Sequence, residues 1–480
     1  MPGSISRRNF AKYAGLLGAA SLAGCSGGGD GGGDGGDGGG YGGGDGSGGD
    51  GGDGMDGGDG GDGMGSGERP VKWVGPSWGL TPAQSEKFTE ITDVPIEHTN
   101  AAGTDAVQQV MTGLRESFDA VVHSAHVGSA MTLANRVVQP IPVSDLDGWE
   151  EGKIADIFLE PSNALPAMGE QADVLSNHIY TDPDAKDELL MPPHVFNLDA
   201  LAINPAEVPR DTNTWSALFD DQYAGNSIFC DIAIIGGLEA MMHAKDTGII
   251  DIELANLNNP SEDQIDQLID FLVSEKEAGQ FRTTWTTFGN SINLFASGEA
   301  VVGDLWQPAV YGVRGEGTPC IYTTHGTNTV QGEMFWYGGI MPLDPGASNR
   351  NNYEEVLSLI QDVHWGAWFP GYIGAFGYQT PNYVQTDLVR DGSDASGQGM
   401  GPEYYDWAYE GKATYGDIEN PDLFNPAGYE WSMEEGSPSS GGKVRDGGAL
   451  EDRFERTTSM WIWPENGPYL QEEWQRFRSA

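Results

Sequence analysis

Between Ser26 and Gly67 the chain is almost entirely glycine and aspartate, as in Gly51-Gly52-Asp53-Gly54 and Gly57-Gly58-Asp59-Gly60-Gly61-Asp62. Such a run has nothing apolar to bury, so it cannot offset the entropy of ordering its backbone and is expected to stay disordered. Glycine makes it flexible and like-charged aspartates swell it, which gives a reach on the order of 35 Å. A calcium-binding Gly-Asp repeat would need a regularly placed apolar residue to form a coil. Here the apolar interruptions are only Tyr41, Met55 and Met64. Any fold must therefore be built from Pro70 onward.

What precedes the run reads as an address. Arg7 and Arg8 are followed by Phe10 and Lys12, then by the short apolar stretch Ala14 to Ala20, then by Leu22-Ala23-Gly24-Cys25. A positive start, a weak apolar middle and small residues at the end make an export signal. The middle is too short to span a bilayer, which takes about 20 apolar residues, and no other run is long and apolar enough. The paired arginines resemble a twin-arginine signal, which carries folded proteins. Leu-Ala-Gly-Cys resembles a lipobox, in which Cys25 becomes the new N-terminus and carries lipid. The expectation is a protein anchored by lipid on the outer face of the cell membrane, with residues 26–68 as its tether.

The charge balance is extreme, with a net charge of −48 and a sequence pI near 4.1. The acids are spread along the body. Such a chain repels nucleic acid, which excludes that partner class. Scarce lysine and ubiquitous acids resemble proteins of halophilic prokaryotes, where salt screens charge over a few Å. The overall charge therefore carries no information about a ligand. Cys230 and Cys320 are the thiols left in the body. Outside the cytoplasm they can pair, or they can be small buried apolar residues, and spacing does not decide between these.

From Pro70 onward there are about 410 residues, more than one core usually supports, so two lobes are expected. Val71–Val74, Val94–His98 and Phe118–Val122 read as strands. They alternate with helices over Thr81–Glu90 and Asp105–Leu114, the second with Val107, Val110, Met111 and Leu114 on one face. A second such series has strands at Ser227–Asp231 and Glu299–Asp304. Its helices lie over Trp215–Phe219, Leu238–Ala244, Ser261–Glu277 and Asn290–Ser297. Both series imply mainly parallel sheets.

The order of five stretches resembles the periplasmic-type solute-binding proteins of ABC importers, in the spermidine/putrescine-binding-like (type II) branch. They are Gly75-Pro76-Ser77-Trp78-Gly79; Phe118 to Ser124; Thr214 to Asp220 with Tyr223-Ala224-Gly225-Asn226; Ile292 to Glu299 with the strand leading to Trp306; and Phe335 to Pro342. The resemblance implies an α/β, two-lobed fold with a ligand cleft between the lobes, which close on the ligand about a hinge. It places crossovers near Pro193–Asn204 and Glu333–Met341 and a third passage near Tyr372–Pro381. One lobe would then comprise residues 69–204 and 335–378, the other 205–334 and 379–480. The segment from Asp391 to Gly448 matches the family poorly.

By the same resemblance Trp78, Ser124, His126, Asp231, Trp306, Trp336 and Tyr337 are the expected ligand residues. The partners are a small solute and the permease and ATPase subunits, with no cofactor and a monomeric chain. Aromatic walls suit alkyl chains and cations. The family's polyamine binders usually carry an aspartate after the return-strand aromatic, where Gly338 stands here. The glutamate expected after Asp231 is missing from Ile232 to Gly236. A polyamine-like amine is favoured by family weight, and a less basic solute is the alternative.

Other motifs point elsewhere and are weaker. Gly75-x-Ser77-x-Gly79 has the spacing of a hydrolase nucleophile elbow, but no histidine is placed beside it and it follows the first strand. A lipid-anchored hydrolase using Ser77 is one competing reading, and an acidic structural surface protein is another. His123-x-x-His126 lacks the third and fourth ligands of a metal site, so no metal is expected and the pair reads as polar lining. No phosphate-binding loop is present, so energy for transport must come from other subunits.

Overall fold

The computed structural model describes residues 69–76, 79–80, 82–101, 106, 109–110, 117–124, 137–150, 153–324, 330–344, 352–366, 377–391, 401–413, 423–426 and 445–480. The expected signal, the tether, Ser77, Trp78 and His126 lie outside them. So does most of the segment between Asp391 and Gly448.

Thirteen strands are defined among the described residues: β1 Val71–Gly75, β2 Ile96–Asn100, β3 Ala120–Ser124, β4 Ile141–Pro142, β5 Glu188–Leu189, β6 Pro193–Asp199, β7 Ala202–Ile203, β8 Ser227–Cys230, β9 Phe281–Trp285, β10 Val302–Gly303, β11 Ile321–Tyr322, β12 Glu333–Pro342 and β13 Thr457–Met460. The first sheet runs β13-β12-β3-β1-β2, with β6 also on β12. Its β1 is parallel to both β2 and β3, as the alternating pattern predicts. The second sheet runs β11-β7-β10-β8-β9, with β8 parallel to β9 and β10. β4 and β5 form a separate pair.

Each sheet has its own buried core. One gathers Trp73, Phe88, Phe158, Phe196 and Tyr337, the other Trp215, Phe229, Leu268, Trp285 and Trp474. The two-lobed reading of the sequence is thus met by two sheets and two cores. β6 and β12 are antiparallel along Met334–Gly339 and serve both cores. Successive residues of a strand face opposite sides. Met334 and Trp336 accordingly enter the second core while Phe335 and Tyr337 enter the first.

The helix Glu262–Glu277 begins as its sequence predicts. Ser261 and Gln264 form a reciprocal capping box, and Ile265, Leu268, Ile269 and Leu272 are buried. Trp215–Phe219 is a 3-10 helix, and the strand expected over Glu299–Asp304 pairs only at Val302–Gly303. The tail does not stay with the second sheet. β13 runs parallel to the start of β12 in the first. Cys230 and Cys320 are both free and buried in the second core, and burial pushes both thiols up, Cys320 to about 12.

One buried ion cluster fixes the tail to the crossover. Glu333 is fully buried at the start of β12 and accepts from Arg453 Nε at 2.7 Å and Arg456 Nη2 at 2.8 Å. Arg453 also donates to the Leu198 carbonyl at the end of β6. Removing one partner of such a cluster leaves a buried charge uncompensated, at a cost of about 3–5 kcal/mol.

Candidate functional site

In an α/β sheet, ligands are met beyond the carboxyl ends of the parallel strands. β8, β9 and β10 end together at Cys230, Trp285 and Gly303, and Asp304 ties these ends to one another. Its carboxylate accepts the Trp285 indole N–H at 2.8 Å and the Cys230 backbone N–H at 2.6 Å. Two residues on, Trp306 caps the helix Gln307–Gly315 and meets Trp285 edge-on, with ring centroids 5.0 Å apart.

The crossover and the tail supply the other side. Trp336 stacks on Trp461, just past β13, at 5.4 Å and 17°. Trp461 also reaches Trp306, at 6.1 Å. Tyr378 meets Trp336 edge-on at 5.1 Å. It follows Gly377, whose φ of +76° suits glycine, and a Cβ there would lie 2.3 Å from the Tyr311 hydroxyl. An unbroken aromatic run therefore links Trp285, Trp306, Trp461, Trp336 and Tyr378, four of them in the second core and Trp306 packed against it. Trp306 is half-buried and the others are buried.

Three buried acids lie in this region. Asp199, the last residue of β6, accepts from Tyr322 Oη at 3.0 Å and Trp336 Nε1 at 3.3 Å. Burial pushes its carboxyl up to about 7, against the pull of those two hydrogen bonds and of Arg453. Glu239, in the helix Gly236–Asp246, is raised by burial and by its neighbour Asp304. Asp304 is raised by burial and eased back by its hydrogen bond with Glu239. Each carboxyl disfavours the charge of the other, as two buried acids side by side do.

The sequence-predicted site residues divide into three groups. Trp306 and Trp336 come together through Trp461. Tyr337 does not join them. The pleat turns it into the first core against Phe158 and Phe335, at 5.7 and 6.5 Å, where burial raises its phenol. Ser124 ends β3 opposite Gly338, with its hydroxyl 3.1 Å from His123 Nδ1. Asp231 follows β8, and its carboxylate is held by the last helix of the chain, by Trp474 Nε1 and Arg478 Nε. Trp78 and His126 lie outside the described residues.

Asp199, Trp285, Trp461 and Tyr378 escaped the reading of the sequence. Asp199 had left a signal, a single charge inside the apolar run Val195 to Ile203. Trp461 had one too, in the aromatic run Trp461-Ile462-Trp463 of the tail.

Two sheets, two cores and paired crossover strands define the two-lobed α/β fold of periplasmic binding proteins. The chain belongs to the bacterial extracellular solute-binding protein family, whose pattern matches residues 83–341. Its fold is similar to that of the TpPotD lipoprotein of Treponema pallidum, with 12% identity, a TM-score of 0.50, and coverage of 86% of this chain and 100% of that one. The spermidine/putrescine ABC transporter substrate-binding protein PotD of Streptococcus pneumoniae gives 13% identity and a TM-score of 0.46, over 68% of this chain and 88% of that one. The binding protein MotA of A. tumefaciens B6, solved with glucopine, gives 14% and 0.45, over 67% and 86%. No curated protein sequence matches this one.

Proposed function

We propose that the chain is the extracytoplasmic substrate-binding component of an ABC importer. It captures a small solute between its lobes and hands it to a membrane permease driven by ATPase subunits. The observation that carries this reading is the run Trp306–Trp461–Trp336, which draws aromatic side chains from a strand end, the tail and the β12 crossover strand together. A wall of that kind suits a solute with an alkyl body and a cationic end, and an amine of the polyamine kind is the solute proposed. Arg7, Arg8, Cys25 and the Gly/Asp run complete it: export in the folded state, lipid attachment, and a leash on which the body swings above the membrane.

The test is a thermal-shift and tryptophan-fluorescence panel in molar KCl with putrescine, spermidine, amino acids and neutral sugars. A solute that binds only the folded state raises the melting temperature. A saturable response to an amine supports the proposal. Silence across the panel, together with ester hydrolysis that disappears in Ser77→Ala, would replace it with the hydrolase reading.

A further inference from the structure

We propose that Asp199, where the first crossover strand leaves one sheet for the other, is the carboxylate that receives an ammonium group of the bound solute. This rests on the amine-capture reading above and names the residue that gives it charge selectivity.

Asp199 is 2% exposed. Its Oδ1 takes two neutral donors, Tyr322 Oη and Trp336 Nε1, while its Oδ2 is buried with no hydrogen-bond partner among the described residues. A buried carboxylate oxygen without a donor is costly, and a cationic donor relieves that cost more fully than a neutral one. The charged and titratable groups around it are accounted for. Arg453 is engaged by Glu333 and the Leu198 carbonyl. Glu333 is neutralised by Arg453 and Arg456. Glu239 is spent on Asp304. Tyr322 already donates to Asp199, and burial raises the phenol of Tyr378. None of these supplies Oδ2 with a cation.

The aromatic setting matches the acid. The carboxyl lies at the N–H edge of Trp336, whose ring stacks on Trp461 and takes Tyr378 edge-on. A primary ammonium on Oδ2 has its methylene chain beside those rings, where apolar area and π faces favour it. Asp231 is not equivalent, because its Oδ1 is already held by Trp474 and Arg478. Asp199 also bonds Tyr322 of the second sheet and Trp336 of the crossover, so an ammonium there would sit at the junction about which the lobes turn.

The experiment is calorimetric titration of putrescine into the purified chain and into Asp199→Asn, in molar KCl, with melting temperatures recorded for both. Asparagine keeps an acceptor for Tyr322 and Trp336 and removes the charge. The expected result is a variant that melts no lower than the native chain and binds putrescine at least tenfold more weakly, as loss of one charge-assisted contact implies. Unchanged putrescine affinity in a folded Asp199→Asn would overturn the assignment and leave amine capture standing. Native chain that binds no amine overturns both. A second measurement needs no variant. Repeating the native titration at several pH values around 7 in buffers of different ionisation heat should show proton release on binding within that range, because burial pushes the free carboxyl up to about 7 and an ammonium favours its ionised form. Binding without proton release overturns the assignment.

Discussion

The indole N–H of Trp474 donates to Asp231 Oδ1 across 2.7 Å, and Arg478 Nε holds the same oxygen at 2.8 Å. The acid that follows β8 thus anchors the helix Gly467–Ser479 to the second sheet. Asp231→Ala leaves a fully buried indole N–H without its acceptor, which costs about 1–3 kcal/mol. The expected outcome is a lower melting temperature and faster amide exchange in that helix, with solute affinity changed less than twofold. A large affinity loss at unchanged stability would return Asp231 to the ligand.

Trp306→Ala and Trp336→Ala should each weaken solute binding about tenfold to a hundredfold, the equivalent of roughly 1–3 kcal/mol for a stacked contact. Trp336→Phe separates two contributions, because it keeps a ring on Trp461 and removes the N–H that Asp199 accepts. If the indoles serve only the core, alanine variants lose about 3–5 kcal/mol of stability and the folded remainder binds normally. Fluorescence titration with parallel melts distinguishes the two.

His178 is buried in the short helix Ser176–Ile179, and burial pushes its imidazole down to about 4. Its folded value lies below the ordinary 6.5, so it costs no stability above pH 6.5. As pH falls from 6.5 towards 4, the unfolded chain takes up a proton that the folded chain refuses, a loss of about 3 kcal/mol. Native chain and His178→Gln, melted side by side, should show a stability difference that changes by about that amount across this window. A constant difference would mean that the imidazole titrates normally.

Acids outnumber bases throughout the body, and the net charge of the chain is −48. Self-repulsion should loosen the fold in dilute buffer and diminish as salt shortens the screening length to about 3 Å near 1 M. The melting temperature should rise steadily from millimolar to molar KCl. A flat or falling profile would remove salt adaptation as the reason for the composition.

Replacing Cys25 with alanine should leave the signal uncut or shift the protein from the membrane fraction to the medium. Fractionation that matches the native protein, with the signal removed normally, would end the lipid-anchor proposal.

The local elements were largely legible in the sequence. The helix that Ser261 caps and the strand Val71–Gly75 show themselves through spacing, caps and apolar runs, while both crossovers come from the family resemblance. Of the aromatic run, the family resemblance singled out Trp306, just beyond β10, and Trp336, within β12. Tyr337 was misplaced because a family stretch gives neighbouring residues together, while the pleat sends them to opposite faces. The donors that hold Asp231 arrive from a helix more than two hundred residues later, which the sequence around it does not show. Trp461 and Asp199 reach Trp336 through pairing between the tail, β12 and β6, a long-range register that local pattern does not encode.

The place of β13 has a consequence for synthesis. The first sheet contains some of the earliest structured residues of the chain, at β1, and some of the latest, at β13. While the chain is still on the ribosome, Glu333 is without Arg453 and Arg456, and the edge of β12 that β13 will occupy is open. Neither lobe can reach its final form until almost the whole chain has emerged, so maturation is effectively post-translational.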